Sequence, residues 1–246
     1  MRAADPFELK LQEISLFLDV DGTLLDLAPR PDEVEVPARL LDDLAAVEGA
    51  LGGALALVSG RPIATLDRLF APLRLRASGV HGAEIRYSPD DAAKLLTHRR
   101  MPDTAWGDLL GLLGDFPGTF AENKGMSFAV HHHDTDDEAR ALVVAVSDFI
   151  ERHGEAELHL LAGHRVFEIK LPGFDKGTAI AHFMARAPFL GRIPVFIADD
   201  LIDRPGFETV LALGGLAFSV GETQPGLSGS FAQPSAVRAW LRGLRP

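Results

Sequence analysis

The sequence predicts an α/β protein, a doubly wound parallel sheet into which a smaller α+β layer is inserted. Three observations carry that prediction. First, short and nearly continuous apolar runs (Leu16-Phe17-Leu18, Ala54 to Val58, Val195 to Ala198) each end in polar residues. Runs without alternation suit parallel strands buried on both faces. Second, helical patterns alternate with these runs, over Pro37 to Val47, Pro62 to Phe70 and Lys176 to Ala187. Pro37 and Pro62 suit first-turn positions, where a missing N–H is no loss. Third, the rhythm changes between about Glu84 and Leu171 and returns after Gly173-Phe174-Asp175.

Within that middle stretch, Thr119 to Asn123, Ser127 to His131, Leu158 to Leu161 and Arg165 to Leu171 read as strands. Thr135-Asp136-Asp137-Glu138 resembles a capping box that opens a helix toward His153. The expected division is therefore a discontinuous core of residues 1–83 and 172–246 around an inserted layer of residues 84–171. No internal repeat is visible. Gly214-Gly215 and Gly221 to Gly229 read as loops.

Composition narrows the function. The 246 residues carry 35 acidic and 24 basic side chains, a formal charge of −11. That balance speaks against a nucleic-acid partner, which requires a basic footprint. Without cysteine there is no disulfide framework, thiolate metal site or cysteine nucleophile. The amino-terminal residues lack the apolar core of a signal peptide, and no apolar run nears the ~20 residues of a membrane helix. The longest aliphatic patch, Ala141 to Val146, suits an amphipathic helix. The expectation is a soluble, cytoplasmic protein without a membrane partner.

Ligands of α/β sheets bind at the carboxyl ends of the parallel strands, and three such ends here are chemically loaded. The first is Asp19-Val20-Asp21-Gly22-Thr23-Leu24. Two aspartates two apart point the same way if strand geometry continues, and two close carboxylates repel unless a cation sits between them. Mg²⁺ suits such hard oxygen donors and keeps waters and phosphate as its other ligands. The second is Ser59-Gly60-Arg61-Pro62, whose hydroxyl, N–H groups and guanidinium could hold phosphate oxygens. A plain N-cap role for Ser59 explains it equally well at this stage. The third is Asp199-Asp200-Leu201-Ile202-Asp203; dipole-complementing acids at a helix start would explain Asp203 better than Asp199. Lys176, opening a helix after Asp175, has no dipole reason to be there and reads as functional.

This order of motifs resembles the haloacid dehalogenase superfamily of phosphotransferases, and specifically the bacterial trehalose-6-phosphate phosphatases. The likeness runs from Ser15 to about Leu241. It includes V-S-G-R-P (Val58 to Pro62), G-V-H-G-A-E (Gly79 to Glu84), E-N-K-G-M-S-F-A-V-H (Glu122 to His131), V-F-E-I-K (Val166 to Lys170), D-K-G (Asp175 to Gly177) and P-V-F-I-A-D-D (Pro194 to Asp200). The resemblance implies a Rossmann-like core with a cap that closes over a phosphorylated disaccharide. It implies that Asp19 attacks phosphorus and that Asp21 serves as general acid and then base. Mg²⁺ would be held by the Asp19 side chain, the Asp21 carbonyl and Asp199. Ser59 and Lys176 would hold the transferring oxygens, with Asp200 and Asp203 positioning the lysine and the metal waters. Glu122, Lys124, Ser127, His131 and Glu168 would contact sugar from the cap, and Arg61, His81 and Gly82 from the core. A functional link to trehalose-6-phosphate synthase stays open.

The chain departs from the family pattern in places. The usual G-D-D-x-T-D-E is here Ala198-Asp199-Asp200-Leu201-Ile202-Asp203-Arg204, which removes a hydroxyl at Ile202 and reverses a charge at Arg204. All three acids survive, so activity is expected, with altered metal affinity. His131-His132-His133 replaces the usual H-Y-R. Strand alternation puts His132 opposite its neighbours, which speaks against one zinc ion collecting all three. On the residues alone, Glu122 and Lys124 could be no more than an exposed turn pair. Two rivals remain, a related sugar-phosphate phosphatase of different or broader specificity and a non-catalytic sugar-phosphate-binding homologue.

Overall fold

A computed structural model describes residues 10–132, 136–154, 157–163 and 165–244. In chain order the elements begin with β1 (Ile14–Leu18), α1 (Ala38–Ala50), β2 (Leu55–Val58), α2 (Ile63–Leu69), β3 (Arg76–Gly79), β4 (Glu84–Arg86) and β5 (Lys94–Leu95). There follow α3 (Ala105–Leu113), β6 (Phe120–Asn123), β7 (Ser127–His131), α4 (Asp136–Arg152), β8 (His159–Gly163) and β9 (Val166–Lys170). The chain ends with α5 (Lys176–Met184), β10 (Ile193–Ala198), α6 (Arg204–Ala212), β11 (Leu216–Val220), β12 (Gly229–Phe231) and α7 (Pro234–Gly243). The described residues form two units, one within Met1–Leu96 and Asp175–Pro246 and the other within Thr97–Phe174.

The larger unit is built on an eight-stranded sheet ordered β12-β11-β10-β1-β2-β3-β4-β5. It is parallel from β12 to β3, and antiparallel where β4 and β5 extend its edge. All five residues of β1 are buried, as a central strand covered on both faces requires. Helix α1 packs on α7, and α5 on α6. Between sheet and helices, Phe17 stacks on Phe189 at 5.3 Å and lies 6.0 Å from Phe183. Burying a side chain of this size is worth roughly 1.5–3 kcal/mol. Leu18 pairs with Ile197 of β10 and with Leu57 of β2. That register brings Asp19, Ser59 and Asp199 out at one edge of the sheet.

Two expectations need correction. The stretch from Glu84 to Leu96 belongs to the larger sheet rather than to the inserted layer, because β4 pairs with β3 and β5 with β4. The loop expected over Gly221 to Gly229 ends one residue early, since Gly229 opens β12 opposite Phe218.

The smaller unit is a four-stranded antiparallel sheet ordered β6-β7-β9-β8, with α3 and α4 packed against it. Its core holds Leu142, Val146 and Phe149 of α4 and Phe128 of β7, whose ring meets Trp106 at 5.1 Å. The capping box expected at Thr135 lies outside the described residues, as does His133. Among the described residues no helix is long and apolar enough to cross a membrane.

Candidate active site

The first motif turns sharply as soon as β1 ends at Leu18. The Asp19 N–H still donates to Ile197 O at 3.0 Å, and the N–H groups of Leu24 and Leu25 both return to Val20 O at 2.9 Å. Strand geometry therefore does not continue, and Asp19 and Asp21 take different partners. At the tip, Gly22 has φ +73°, and a Cβ there would lie 2.0 Å from Asp199 Oδ2. Only glycine lets this turn approach Asp199 so closely. Thr23 Oγ1 lies 3.4 Å from Asp19 Oδ2 and 3.3 Å from Asp199 Oδ1, and its one proton can serve either.

Lys176 is the first residue of α5, and a capping box fixes that helix start. Thr178 N donates to Asp175 Oδ1 at 2.6 Å, and Asp175 N donates to Thr178 Oγ1 at 2.8 Å. From this position the buried Lys176 Nζ donates to Asp19 Oδ1 at 2.6 Å and pairs with Asp203. Asp200 caps the turn that carries Asp203: its carboxylate accepts from Ile202 N, and its own N–H donates to Asp203 Oδ2 at 3.2 Å.

Asp19, Asp199 and Asp203 each bring a carboxylate oxygen within 4.8 Å of the others. Of the three, Asp19 and Asp203 pair with the Lys176 ammonium. Burial pushes the Asp19 carboxyl up to about 7, opposed by Lys176 and reinforced by Asp199. Burial, then the charge of Asp203, does the same to Asp199, also to about 7. Asp203 reaches about 7 through burial, with Lys176 opposing. Burial works against the charged form of Lys176 too, but the flanking carboxylates outweigh it and hold the ammonium above its ordinary range. An all-oxygen donor set with surplus negative charge fits a hard divalent cation such as Mg²⁺. Asp203 belongs to this group, whereas the Asp21 side chain is held elsewhere.

The second motif is clamped from above. The Ser59 N–H donates to Ser78 O at 3.0 Å, and Ser59 Oγ accepts from Arg61 N at 3.1 Å. Ser59 is not the N-cap of α2; Pro62 holds that position, and the Ile63 N–H goes to Glu84 Oε2 at 2.7 Å. Glu84 thus has a role that its place in the G-V-H-G-A-E segment did not reveal. Val80 and His81, both at positive φ, send their N–H groups to Arg61 O and Ser59 O at 3.1 and 3.0 Å. The His81 ring covers Gly60, where a Cβ would lie 2.4 Å from Nε2. Gly82, at φ +105°, fits against the start of α5, and a Cβ there would lie 2.2 Å from Asp175 O. His81 and Gly82 therefore tie the Ser59–Arg61 loop to the helix that bears Lys176. The Arg61 guanidinium is bidentate to Asp21, at 2.7 and 2.8 Å.

The smaller unit contains a second polar group. Ser127 Oγ donates to Glu168 Oε1 at 2.5 Å, and Lys124 Nζ lies 3.1 Å from Glu168 Oε2. The Lys124 and Glu168 side chains are only 9% and 2% exposed, so Lys124 is not half of a solvated turn pair with Glu122. Glu122, by contrast, is 40% exposed and 4.0 Å from His131 Nε2. His131 stacks on Phe120 at 4.4 Å and His132 on Phe167 at 4.6 Å, in keeping with alternate faces.

Comparison with known proteins decides the family. The trehalose-phosphatase family model matches residues 17–233. The chain belongs to this family. It is 40% identical over 230 residues to the trehalose-6-phosphate phosphatase of Escherichia coli K12, covering 92% of this chain and 84% of that one. It is 36% identical over 234 residues to a protein of Sinorhizobium fredii named probable trehalose-phosphate phosphatase, covering 95% and 87%. The C-terminal domain of the Candida albicans trehalose-6-phosphate phosphatase superposes with a TM-score of 0.83 at 16% identity, over 95% of this chain and 93% of that one. The fold is that of the haloacid dehalogenase superfamily, shared with BT1666 of Bacteroides thetaiotaomicron at a TM-score of 0.59 and 15% identity, over 98% of this chain and 97% of that one.

As a trehalose-phosphatase family member the chain is a phosphoric monoester hydrolase, and its departures from the family pattern can be located. Ala198 is the buried last residue of β10. Ile202 gives its N–H to Asp200 Oδ1 at 3.3 Å. Arg204 pairs with Glu208 at 2.7 Å one helical turn on, both side chains well exposed, at 75% and 61%. The reversed charge is thus met by a solvent-facing partner rather than by the buried carboxylates.

Proposed function

We propose that the chain is a Mg²⁺-dependent phosphatase that hydrolyses trehalose 6-phosphate to trehalose and phosphate through an aspartyl-phosphate intermediate. The observation that carries this reading is Asp19, a buried carboxylate at the end of the central strand, 2.6 Å from the Lys176 ammonium. The relatives' names supply the substrate.

In the first half-reaction an Asp19 oxygen attacks phosphorus while the bond from phosphorus to the sugar oxygen breaks. Asp21 gives its proton to the departing oxygen. In the second, Asp21 as carboxylate takes a proton from a water that attacks the same phosphorus, and Asp19 leaves as carboxylate as phosphate is released. Ser59 and Lys176 hold the transferring oxygens, and Asp203, braced by Asp200, orients Lys176. The Asp19 and Asp199 side chains and the Asp21 main-chain carbonyl would hold Mg²⁺. When bound, the ion neutralises negative charge on the phosphoryl oxygens.

Sugar recognition requires fixed hydrogen-bond partners rather than apolar surface. Lys124, Ser127 and Glu168 supply a hydrogen-bonded set, with Glu122 and His131 beside it. His81 and Gly82 act on the core side by shaping the Ser59–Arg61 loop. The test is phosphate release from trehalose 6-phosphate, glucose 6-phosphate and sucrose 6-phosphate by the wild type and Asp19→Asn. Preference for trehalose 6-phosphate, lost in the variant, is the expected result. Equal rates on all three would favour a broader sugar-phosphate phosphatase. Binding without release would favour a non-catalytic homologue, and undiminished release by Asp19→Asn would overturn the nucleophile.

A further inference from the structure

We infer that Arg61 is a positioning residue for Asp21, holding the acid–base carboxyl in one orientation through both half-reactions. The inference rests on the aspartyl-phosphate reading above. Arginine after Ser59-Gly60 invites assignment to the substrate, but its fork is engaged within the protein. Nε donates to Asp21 Oδ2 at 2.7 Å and Nη2 to Asp21 Oδ1 at 2.8 Å. The same Nη2 donates to Pro31 O at 2.9 Å, which pins the guanidinium to the segment following the first motif. The main chain of Arg61 is fixed as well, its N–H on Ser59 Oγ at 3.1 Å and its carbonyl receiving Val80 N at 3.1 Å.

Asp21 depends on this arginine. Its side chain is 32% exposed, and its side-chain hydrogen bonds within the described residues both go to Arg61. A guanidinium gripping both oxygens fixes the plane of a carboxyl, which a point charge cannot do. When Asp21 carries its proton, one oxygen directs it at the leaving oxygen while the other still accepts from Arg61. When Asp21 is ionised, both oxygens are free to accept from the fork. Arg61 therefore acts on the reaction through Asp21, and its effect should follow the leaving group's need for a proton.

That dependence can be read with phosphate monoesters lacking sugar hydroxyls: 4-nitrophenyl phosphate, phenyl phosphate and glycerol phosphate, in rising order of leaving-group basicity. With saturating Mg²⁺, kcat/KM is measured for the wild type, Asp21→Asn, Arg61→Gln, Arg61→Lys and the Asp21→Asn/Arg61→Gln double variant. Arg61→Gln should lose about 100-fold on glycerol phosphate, the scale of general-acid assistance, and change little on 4-nitrophenyl phosphate. Arg61→Lys keeps the charge without the fork and should show the same trend, so a fold defect in the glutamine variant would not hide the answer. Adding Arg61→Gln to Asp21→Asn should cost little more, because the two act as a unit. Equal loss on all three esters would overturn the inference in favour of a phosphoryl contact. Trehalose 6-phosphate is assayed alongside, and a loss confined to it would overturn the inference in favour of a sugar contact. If Asp21→Asn itself showed no dependence on the leaving group, the acid assignment would fail and the inference with it. Failure of the wild type on trehalose 6-phosphate alone would strike only the proposed substrate.

Discussion

The two units each bury a cluster of charged side chains, and the clusters are balanced differently. In the smaller unit, Lys124 pairs with Glu168, one charge against one among the described residues, and Ser127 donates to the same carboxylate. In the larger unit, three carboxylates cluster within 4.8 Å of one another, and Lys176 pairs with two of them, Asp19 and Asp203. A balanced pair with a hydroxyl is a stable rest state suited to neutral, hydroxyl-bearing ligands. A surplus of buried negative charge is unstable without a cation and favours one that arrives. In the proposed reading this difference separates recognition of the sugar from the reaction at phosphorus more clearly than the residue types do, since both clusters consist of Asp or Glu, Lys and a hydroxyl.

The largest expected effect breaks the reaction centre. Asp19→Asn should lower turnover of trehalose 6-phosphate by about four orders of magnitude or more, the scale of losing a residue that acts as part of a catalytic unit. Stability should respond with opposite signs in the two clusters. Glu168→Gln leaves the Lys124 ammonium buried without its counter-charge and should destabilise the smaller unit by about 3–5 kcal/mol in urea unfolding. Asp199→Asn removes surplus charge and should raise the thermal midpoint measured in EDTA. A fall for Asp199→Asn would mean that the cluster of the larger unit is not governed by its charge balance, and no change for Glu168→Gln would mean the same of the smaller one. A milder break reaches the lysine indirectly. Gly82→Ala puts a methyl 2.2 Å from Asp175 O at a positive φ. The start of α5 must shift, and a misplacement of about 1 Å in Lys176 should cost up to about 100-fold in kcat.

Acidity sharpens the same contrast. Asp19, Asp199 and Asp203 lie near 7 in the ion-free fold against an ordinary 3.8. Between those values the folded protein binds more protons than the unfolded chain, so stability falls as pH rises. This contribution is full below about pH 3.8 and lost as pH passes about 7. Thermal melts in EDTA should therefore weaken from about pH 5 to about pH 8. Added Mg²⁺ should recover stability at the higher pH and do little at the lower. A flat profile in EDTA would show that the surplus charge is relieved in some other way.

Much of this centre was legible because its residues follow long apolar strands. Asp19, Ser59 and Asp199 stand at the ends of β1, β2 and β10, and a run of buried residues that stops at an acid is visible without a structure. Lys176 was legible because a lysine in a first turn opposes the helix dipole. The pairing of Arg61 with Asp21 was not, since 40 residues separate them and neither type demands the other. Nor was the role of Glu84, whose carboxylate caps a helix 21 positions earlier in the chain. β4 and β5 were misassigned because strands of three and two residues are too short for any periodicity to register. In the smaller unit, the residues alone allowed Glu122 and Lys124 to be an exposed turn pair, but the strand register sets Glu168 opposite Ala129, within reach of Ser127 and Lys124.

The smallest effect belongs to the altered fourth motif. Read in sequence, Ile202 removes a hydroxyl from the metal-side loop and Arg204 reverses a charge, which predicts an altered metal affinity. In the structure Arg204 pairs with Glu208 in solvent, where its field is screened by water and salt. Ile202 contributes its main-chain N–H to Asp200, which threonine would also supply. Asp199, Asp203 and Lys176 are untouched by either change. The double substitution Ile202→Thr with Arg204→Glu should therefore tighten apparent Mg²⁺ affinity by no more than about threefold in a metal titration of phosphatase activity, the size of a solvent-exposed charge effect. A tenfold shift would mean that this loop reaches the ion more directly than its contacts imply, and that the negative surplus extends beyond Asp19, Asp199 and Asp203.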